Sequence, residues 1–576
     1  MSFNHKSLLI GMYCLISAPL FSQNIYLELN LNNQAIKSQL RESRSRPSLE
    51  LFRAIEKAAN DRRIKGIILN VSGFSADQEY LWEIRTALEG FKSKGKKICA
   101  FISSANLDMY CLASVADKIV MDEQGSLFLL GFSWGRAYAK NALDKLGVGV
   151  RELRYLEYKS AMETFTRSSI SDADRRQYGE YLNDVFSVTK EALLKARALT
   201  PGEFDSLLNN DFLYSSKFAL GRGLVDRVGR EKAVAETLKE MEGGEVNSFL
   251  TFGDTETSLM GGMLQYKAGK TGGLFNKPPV IAIVYANGQT DMEQGMAARS
   301  IARTIREVSR KWRVKAIVLR INSPGGSAEA ADYVAEAVKY AKERVPVVVS
   351  MGQVAASGGY WAAMYANKIV AAPHTLTGSI GVIGSWFYDR GMNDKLGLSV
   401  DVLKMGDHAD LMTGVLLPRR DLTSAEEKSY RRLLMDVYGD FTAKVAVGRN
   451  MELEKVETLA QGRVYSGIGA LNAGLIDSVG GLADAVRIAQ NLANIPEGVK
   501  VQYNELPKPT FWEKLLTSLP TASVFGGKTA ASAMGTSSSL LGIILPKPLL
   551  EDLLFRVSHN GQVMPLLPMD VGLQSE

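Results

Sequence analysis

The feature that most restricts how this chain can fold is a long internal repeat. "IKGIILNVSGF" begins at Ile64 and "VKAIVLRINSPGG" at Val314, 250 residues later. "ADKIV" ends at Val120 and "ANKIV" at Val370, at the same shift. "LYSSKFALGRGLVDRVG" matches "VYSGIGALNAGLIDSVG", which pairs Asp226 with Asp477 at a shift of 251. A spacing held over more than 150 residues makes the chain two copies of one unit. The expected organisation is an export signal or short anchor at 1–22, a first copy at 23–250, a linker at 251–278, a second copy at 279–498 and a C-terminal tail at 499–576.

Within each copy, β-branched runs such as Ile64–Val71, Val280–Tyr285, Ala316–Ile321 and Val345–Ser350 alternate with helical stretches such as Leu51–Ala59, Ala328–Arg344 and Ala425–Val447. Strands that are apolar throughout and separated by helices predict an α/β fold with mainly parallel sheets covered on both faces. Charge adds an exclusion. With 68 Lys and Arg against 62 Asp and Glu and no basic block, nothing marks a nucleic-acid partner. Three cysteines, Cys14, Cys99 and Cys111, show neither zinc-site spacing nor a disulfide framework, and no metal is expected.

The N-terminus has Lys6 before an apolar run from Leu8 to Phe21, the layout of an export signal. About 14 apolar positions fall short of the ~20 of a spanning helix. A buried first helix is the alternative. The tail contains "TASVFGGKTAASAMGTSSS", which reads as a flexible link, then "LLGIILPKPLLEDLLF", apolar enough to pack on a neighbour or touch a membrane.

One stretch breaks the symmetry. In "QVAASGGYWAAMYANKIV", Gln353–Val370, the repeat sets Tyr360 opposite Tyr110 and Lys368 opposite Lys118, but Ser357 opposite Leu107. A serine needed only for the turn would be needed in both copies, so chemistry competes with the plainer role of a helix N-cap. Upstream, "NSPGGS" at 322–327 follows a strand. Pro324 presets the backbone there, and Gly325 and Gly326 let main-chain N–H groups come close to a ligand. With the N–H of Gly358 they suit an oxyanion, although "SPGG" alone also reads as a tight turn.

"RINSPGG", "AASGGYWAAMYANKIVA" and "TLTGSIGVIG" together resemble the signature segments of the signal peptide peptidase A family in its long, duplicated form, also called protease IV. The resemblance runs in order from about residue 25 to 500. It implies two tandem Clp protease/crotonase-like domains, ring assembly, and a serine nucleophile served by a lysine base.

A serine hydroxyl at neutral pH needs such a base. His5 lies in the export segment and His559 in the tail; His374 and His408 are histidine candidates without a triad motif. The resemblance implies Lys159 instead, in "YLEYKSAMETFTR", whose counterpart 250 residues on is Ala409. The copies are then complementary, one keeping the lysine and the other the serine. A free lysine at ~10.4 must fall towards ~7 for the task, about 4 kcal/mol against the charged form. Burial by Ala161, Met162 and Phe165 would supply that; Glu157 and Glu163 would oppose it if they faced inward. Otherwise Lys159 is a solvated surface lysine. Ser379 of "TGSIGV" resembles a family hydroxyl that orients the lysine, and is otherwise a turn serine.

The resulting expectation is a serine endopeptidase that degrades cleaved signal peptides through an acyl-enzyme. Ser357 and Lys159 would be catalytic, with Gly325, Gly326 and Gly358 as the oxyanion hole, Ser379 orienting the lysine, and no metal or organic cofactor. The implied substrates are signal peptide remnants and other extended apolar peptides, bound as an added strand. The implied setting is the periplasmic side of a bacterial inner membrane, with membrane association and a homo-oligomer, a tetramer. A crotonase-like thioester enzyme and a non-catalytic membrane scaffold are the rival readings. Whether Lys159 meets Ser357 within one chain or between chains is open at this level.

Overall fold

The computed structural model describes residues 25–32, 49–244, 246, 248–251, 277–507, 550, 553–554, 556–557, 560–564 and 571–574. The expected export segment 1–22 lies outside the described residues, as do most of the linker and the tail at 508–549.

Among the described residues the first copy forms a seven-stranded sheet. Its order is Leu213–Ser215, Lys118–Phe128, Lys97–Asn106, Ile64–Asn70, Ile25–Asn30 and Ser248–Thr251, with Arg227–Val228 also on Lys118–Phe128. The second copy repeats this order in eight strands: Val464–Tyr465, Leu376–Gly378, Val347–Ala356, Val314–Ser323, Val280–Asn287 and Gln502–Leu506, with Lys368–Ala371 and Ser478–Val479 beside them. Apart from Leu213–Ser215 and Val464–Tyr465, every pairing within these two sheets is parallel. Continuous burial along strands such as Val280–Asn287 follows from helices on both faces. In helix Ala328–Lys342, Ser327 caps the first turn and small buried alanines let the helix lie close to the sheet.

The repeat extends to individual contacts. Tyr110 Oη donates to Leu224 O at 2.7 Å, and Tyr360 Oη to Leu475 O at 2.8 Å. Asp226 accepts from Ile119 N and Lys118 Nζ as Asp477 accepts from Ile369 N and Lys368 Nζ. Two boundaries differ from the sequence reading. Strand Gln502–Leu506 joins the second sheet, so that unit continues past 498. Strand Ser248–Thr251 carries the first copy one residue into the expected linker.

Two features stand out among those that join the copies. The first is a small antiparallel sheet in which Ile383–Asp389 of the second copy pairs on one side with Val148–Leu153 of the first and on the other with Val563–Met564 of the tail. The second is a buried ionic cluster. The guanidinium of Arg320, on a central strand of the second copy, donates to Glu83 Oε1 (2.9 Å), Glu79 Oε1 (2.5 Å), Ser350 Oγ (2.7 Å) and Met351 O (2.9 Å). Both carboxylates stand on helix Gln78–Lys92 of the first copy, and Glu83 also accepts from Leu482 N at 3.1 Å. Burial pushes the Glu79 carboxyl up from its ordinary value, against the pull of Arg320.

Candidate active site

Ser357 sits where strand Val347–Ala356 turns into helix Gly358–Ala363, at φ 58° and ψ −114°. A side chain is rarely held in that region without a reason elsewhere in the structure. Its backbone is fixed by its own N–H donating to Gly378 O (2.8 Å) and by Trp361 N donating to its carbonyl (2.8 Å). The side chain makes no capping bond. In the first copy the matching helix, Leu107–Ala113, is capped by Asn106, whose Oδ1 accepts from Met109 N at 3.0 Å. The N-cap explanation of Ser357 therefore falls away, and its hydroxyl is committed to a different partner.

That partner is Lys159, whose Nζ lies 2.6 Å from Ser357 Oγ within one chain. Nζ also donates to Ser379 O and reaches Ser379 Oγ, each at 2.9 Å. All three residues are at most 1% exposed. A carbonyl only accepts, so Ser379 O fixes one amine hydrogen, and Ser379 Oγ can accept a second. A neutral amine has two hydrogens and one lone pair. With both hydrogens on Ser379, the lone pair is left facing the Ser357 hydroxyl. Burial lowers the Lys159 pKa well below its ordinary value, with the charge of Arg556 adding to the effect. Ala161, Met162 and Phe165 are buried beside it. Of the two acidic neighbours, Glu157 points outward to Arg176, while Glu163 is fully buried and bridged by Arg154 at 2.7 Å.

The loop carrying Lys159 is anchored by groups that sequence reasoning missed. Arg136 and Asp174 form a buried pair at 2.6 Å. Asp174 accepts from Ser160 Oγ (2.5 Å) and Gln177 Nε2 (2.7 Å), and Gln177 Oε1 accepts from Val464 N of the second copy (3.1 Å). In the sequence Asp174 reads only as an acidic residue in the first turn of a helix capped by Ser171. Tyr158 N donates across the interface to Gln461 O at 2.9 Å. Next along is Gly462, at φ +80°, where an added Cβ would lie 2.6 Å from Lys159 Cβ. Gly462→Ala is expected to cost about 1–3 kcal/mol of stability and to lower activity by displacing the amine. Urea unfolding and peptide cleavage measured together check this; an unchanged pair of values rejects it.

Thr290 shapes the glycine loop, donating its N–H to Gly325 O and accepting from Ser327 N at 2.7 Å each. The N–H of Gly325, expected in the oxyanion set, donates to Ser323 Oγ at 3.2 Å. Gly326 and Gly358 remain close, a Cβ built on Gly358 lying 3.2 Å from Gly326 N. Gly326 tolerates no side chain, since its Cβ would sit 2.1 Å from Thr290 O.

Neither histidine candidate has a hydrogen bond to Ser357 among the described residues. Burial pushes the His374 imidazole down to about 4. His408 pairs with Glu426 at 2.8 Å. Among the described residues no cluster could hold a metal, and no helix is long and apolar enough to cross a membrane.

Comparison with known proteins places this geometry in context. The model of peptidase family S49 matches residues 90–244 and 339–496, together more than half of the chain. The Clp protease model matches residues 283–376, within the α/β unit that carries Ser357. The chain is 32% identical over 517 residues to the chloroplastic serine protease SPPA of Arabidopsis thaliana, covering 88% of this chain and 73% of that one. It is 34% identical over 496 residues to Protease 4 of Salmonella typhi, covering 82% and 76%. Over 200 residues it is 34% identical to a protein named putative signal peptide peptidase SppA from Enterococcus faecium, covering 34% of this chain and 57% of that one.

Proposed function

For a chain that belongs to peptidase family S49, and so is a serine protease of the hydrolase class, we propose that Ser357 and Lys159 form the catalytic dyad. The observation that carries this reading is the buried 2.6 Å contact between an amine from one copy and a hydroxyl from the other. Neutral Lys159 takes the Ser357 proton as Oγ attacks a peptide carbonyl, forming the C–O bond of a tetrahedral intermediate. The N–H groups of Gly326 and Gly358 hold the oxyanion. The lysine ammonium then protonates the leaving amine as the C–N bond breaks. Water, deprotonated by the same amine, releases the acyl group. Ser379 keeps the lone pair aimed at Ser357.

The substrates are extended apolar peptides, above all signal peptide remnants. The names of the relatives support this reading. The setting is the periplasmic side of a bacterial inner membrane, and the working form is a homo-oligomer, a tetramer. A fluorophosphonate probe tests the chemistry. It should label Ser357, mapped by mass spectrometry, at a rate that rises with pH as the Lys159 amine loses its proton, and Ser357→Ala should stay unlabelled. Labelling at another residue, or none at any pH, rejects the dyad and favours a scaffold.

A further inference from the structure

The two copies differ at one aromatic set. In the second copy Trp361 stacks on Phe441 with ring centres 4.2 Å apart and planes 23° apart, and its Nε1 donates to Asp332 Oδ1 at 3.0 Å. Lys444 Nζ lies 5.9 Å from the ring centre of Trp361 and pairs with Asp332. The repeat gives each of these four a counterpart. Trp361 and Asp332 correspond to Cys111 and Trp82 at the shift of 250. Helices Asp172–Arg197 and Ser424–Arg449 are both 26 residues long, and Arg197 pairs with Asp226 as Arg449 pairs with Asp477, so these helices match at a shift of 252. Phe441 and Lys444 then correspond to Thr189 and Ala192.

All four counterparts line one cavity of about 250 Å³ in the first copy. Where the second copy holds an indole, a phenyl ring and a lysine stem, the first holds the short side chains of Cys111, Thr189 and Ala192; Trp82, opposite Asp332, is the larger member of its pair. An apolar cavity of about 150 Å³ is enough for benzene, so this one has room for a fused two-ring molecule. Leu81, Leu112 and Val188 also line it. Two buried polar atoms of lining residues have no hydrogen-bond partner among the described residues. Gln78, 6% exposed, donates through Nε2 to Asp108 Oδ1 at 3.0 Å, while its Oε1 is left unpaired. His374, 5% exposed, comes from the second copy, with its carbonyl accepting from Tyr181 Oη at 2.8 Å and its Nδ1 unpaired. Leaving such atoms unpaired is costly, and a ligand group or water has to satisfy them.

We propose that this cavity is a binding site for a neutral fused aromatic molecule with one N–H donor, of the indole kind, its rings lying in the space that Trp361 and Phe441 fill in the other copy and its N–H donating to Gln78 Oε1. Arg85 is already held by Glu89 at 3.1 Å and by Ser114 Oγ at 2.9 Å, and Asp108 and Glu191 would repel an anion. A full charge on the ligand would also be costly against apolar walls. Because His374 belongs to the second copy and the other lining residues to the first, an occupant bridges the copies and stabilises the folded chain. The site uses neither Ser357 nor Lys159, so its test stands apart from that of the dyad.

The test uses the full chain and two probes of one shape, indole and benzofuran, the second lacking the N–H. Titration calorimetry should show one saturable indole site per chain, with benzofuran about ten-fold weaker, and saturating indole should raise the thermal midpoint. Gln78→Leu should remove the difference between the probes. Cys111→Trp, which installs the residue of the other copy, should fill the cavity and abolish binding; Thr189→Phe carries the same test if Cys111→Trp does not fold. Absence of saturable indole binding, an indole-soaked crystal with only water in the cavity, or unchanged indole binding in folded Cys111→Trp or Thr189→Phe protein overturns the proposal. Equal affinity of the wild type for both probes overturns the choice of an N–H donor as ligand.

Discussion

Lys159→Met should lose peptide hydrolysis by about 10³–10⁴-fold in kcat/KM, with little change in substrate affinity. Methionine keeps the length and the apolar packing but removes the lone pair 2.6 Å from Ser357 Oγ. Lys159→Arg should be equally inactive, because a guanidinium is never deprotonated at working pH. Steady-state cleavage of an apolar reporter peptide decides the matter; a methionine variant keeping a tenth of the activity at pH 7 removes Lys159 from the mechanism. The same variant has a stability signature. Burial lowers Lys159 in the folded protein. The unfolded chain titrates near ~10.4, so between the two values the unfolded state holds the extra proton. Wild-type stability therefore rises with pH across that window, and the methionine variant should lose this part of the slope in urea titrations.

The largest stability effect is expected at Arg320. Arg320→Met leaves Glu79 and Glu83 buried between the copies without their cation, a loss of about 3–5 kcal/mol. The loss should grow with pH above the ordinary carboxyl range. There the unfolded Glu79 carboxyl ionises while the buried one, pushed up, still holds its proton, so the folded state binds more protons and stability falls as pH rises. Adding Glu79→Gln and Glu83→Gln should recover most of the midpoint in urea. If Arg320→Met alone unfolds at the wild-type midpoint, the cluster does not hold the copies together. Activity should fall with stability, since Lys159 and Ser357 stand on opposite sides of the same interface.

The repeat made the fold legible. Asp226 and Asp477, Tyr110 and Tyr360 were matched by spacing alone, and each pair makes the same bonds in its own sheet. Local patterning carried that far because the strands and helices of each copy are decided over a few residues. Ser357 could be singled out because Leu107 stands in its place, and Lys159 because its motif resembles a family segment and Ala409 stands in its place. The supporting cluster was not legible. Arg136 reaches Asp174 only after the chain between them has folded back, and nothing local distinguishes Asp174 from an ordinary N-terminal acid. For Gly325, sequence shows that an N–H is available to a loop but not where it points; in the structure it donates to Ser323 Oγ.

The three-stranded sheet built from Val148–Leu153, Ile383–Asp389 and Val563–Met564 also imposes a timetable. A ribosome delivers the lysine first, the hydroxyl some 200 residues afterwards, and the strand bearing the final edge as many again beyond that. Because no two of these segments are neighbours along the chain, the sheet cannot close while residue 564 is still unmade. Until that residue is made, strand Ile383–Asp389 keeps one edge unpaired, alongside the strand that leads into the Lys159 loop.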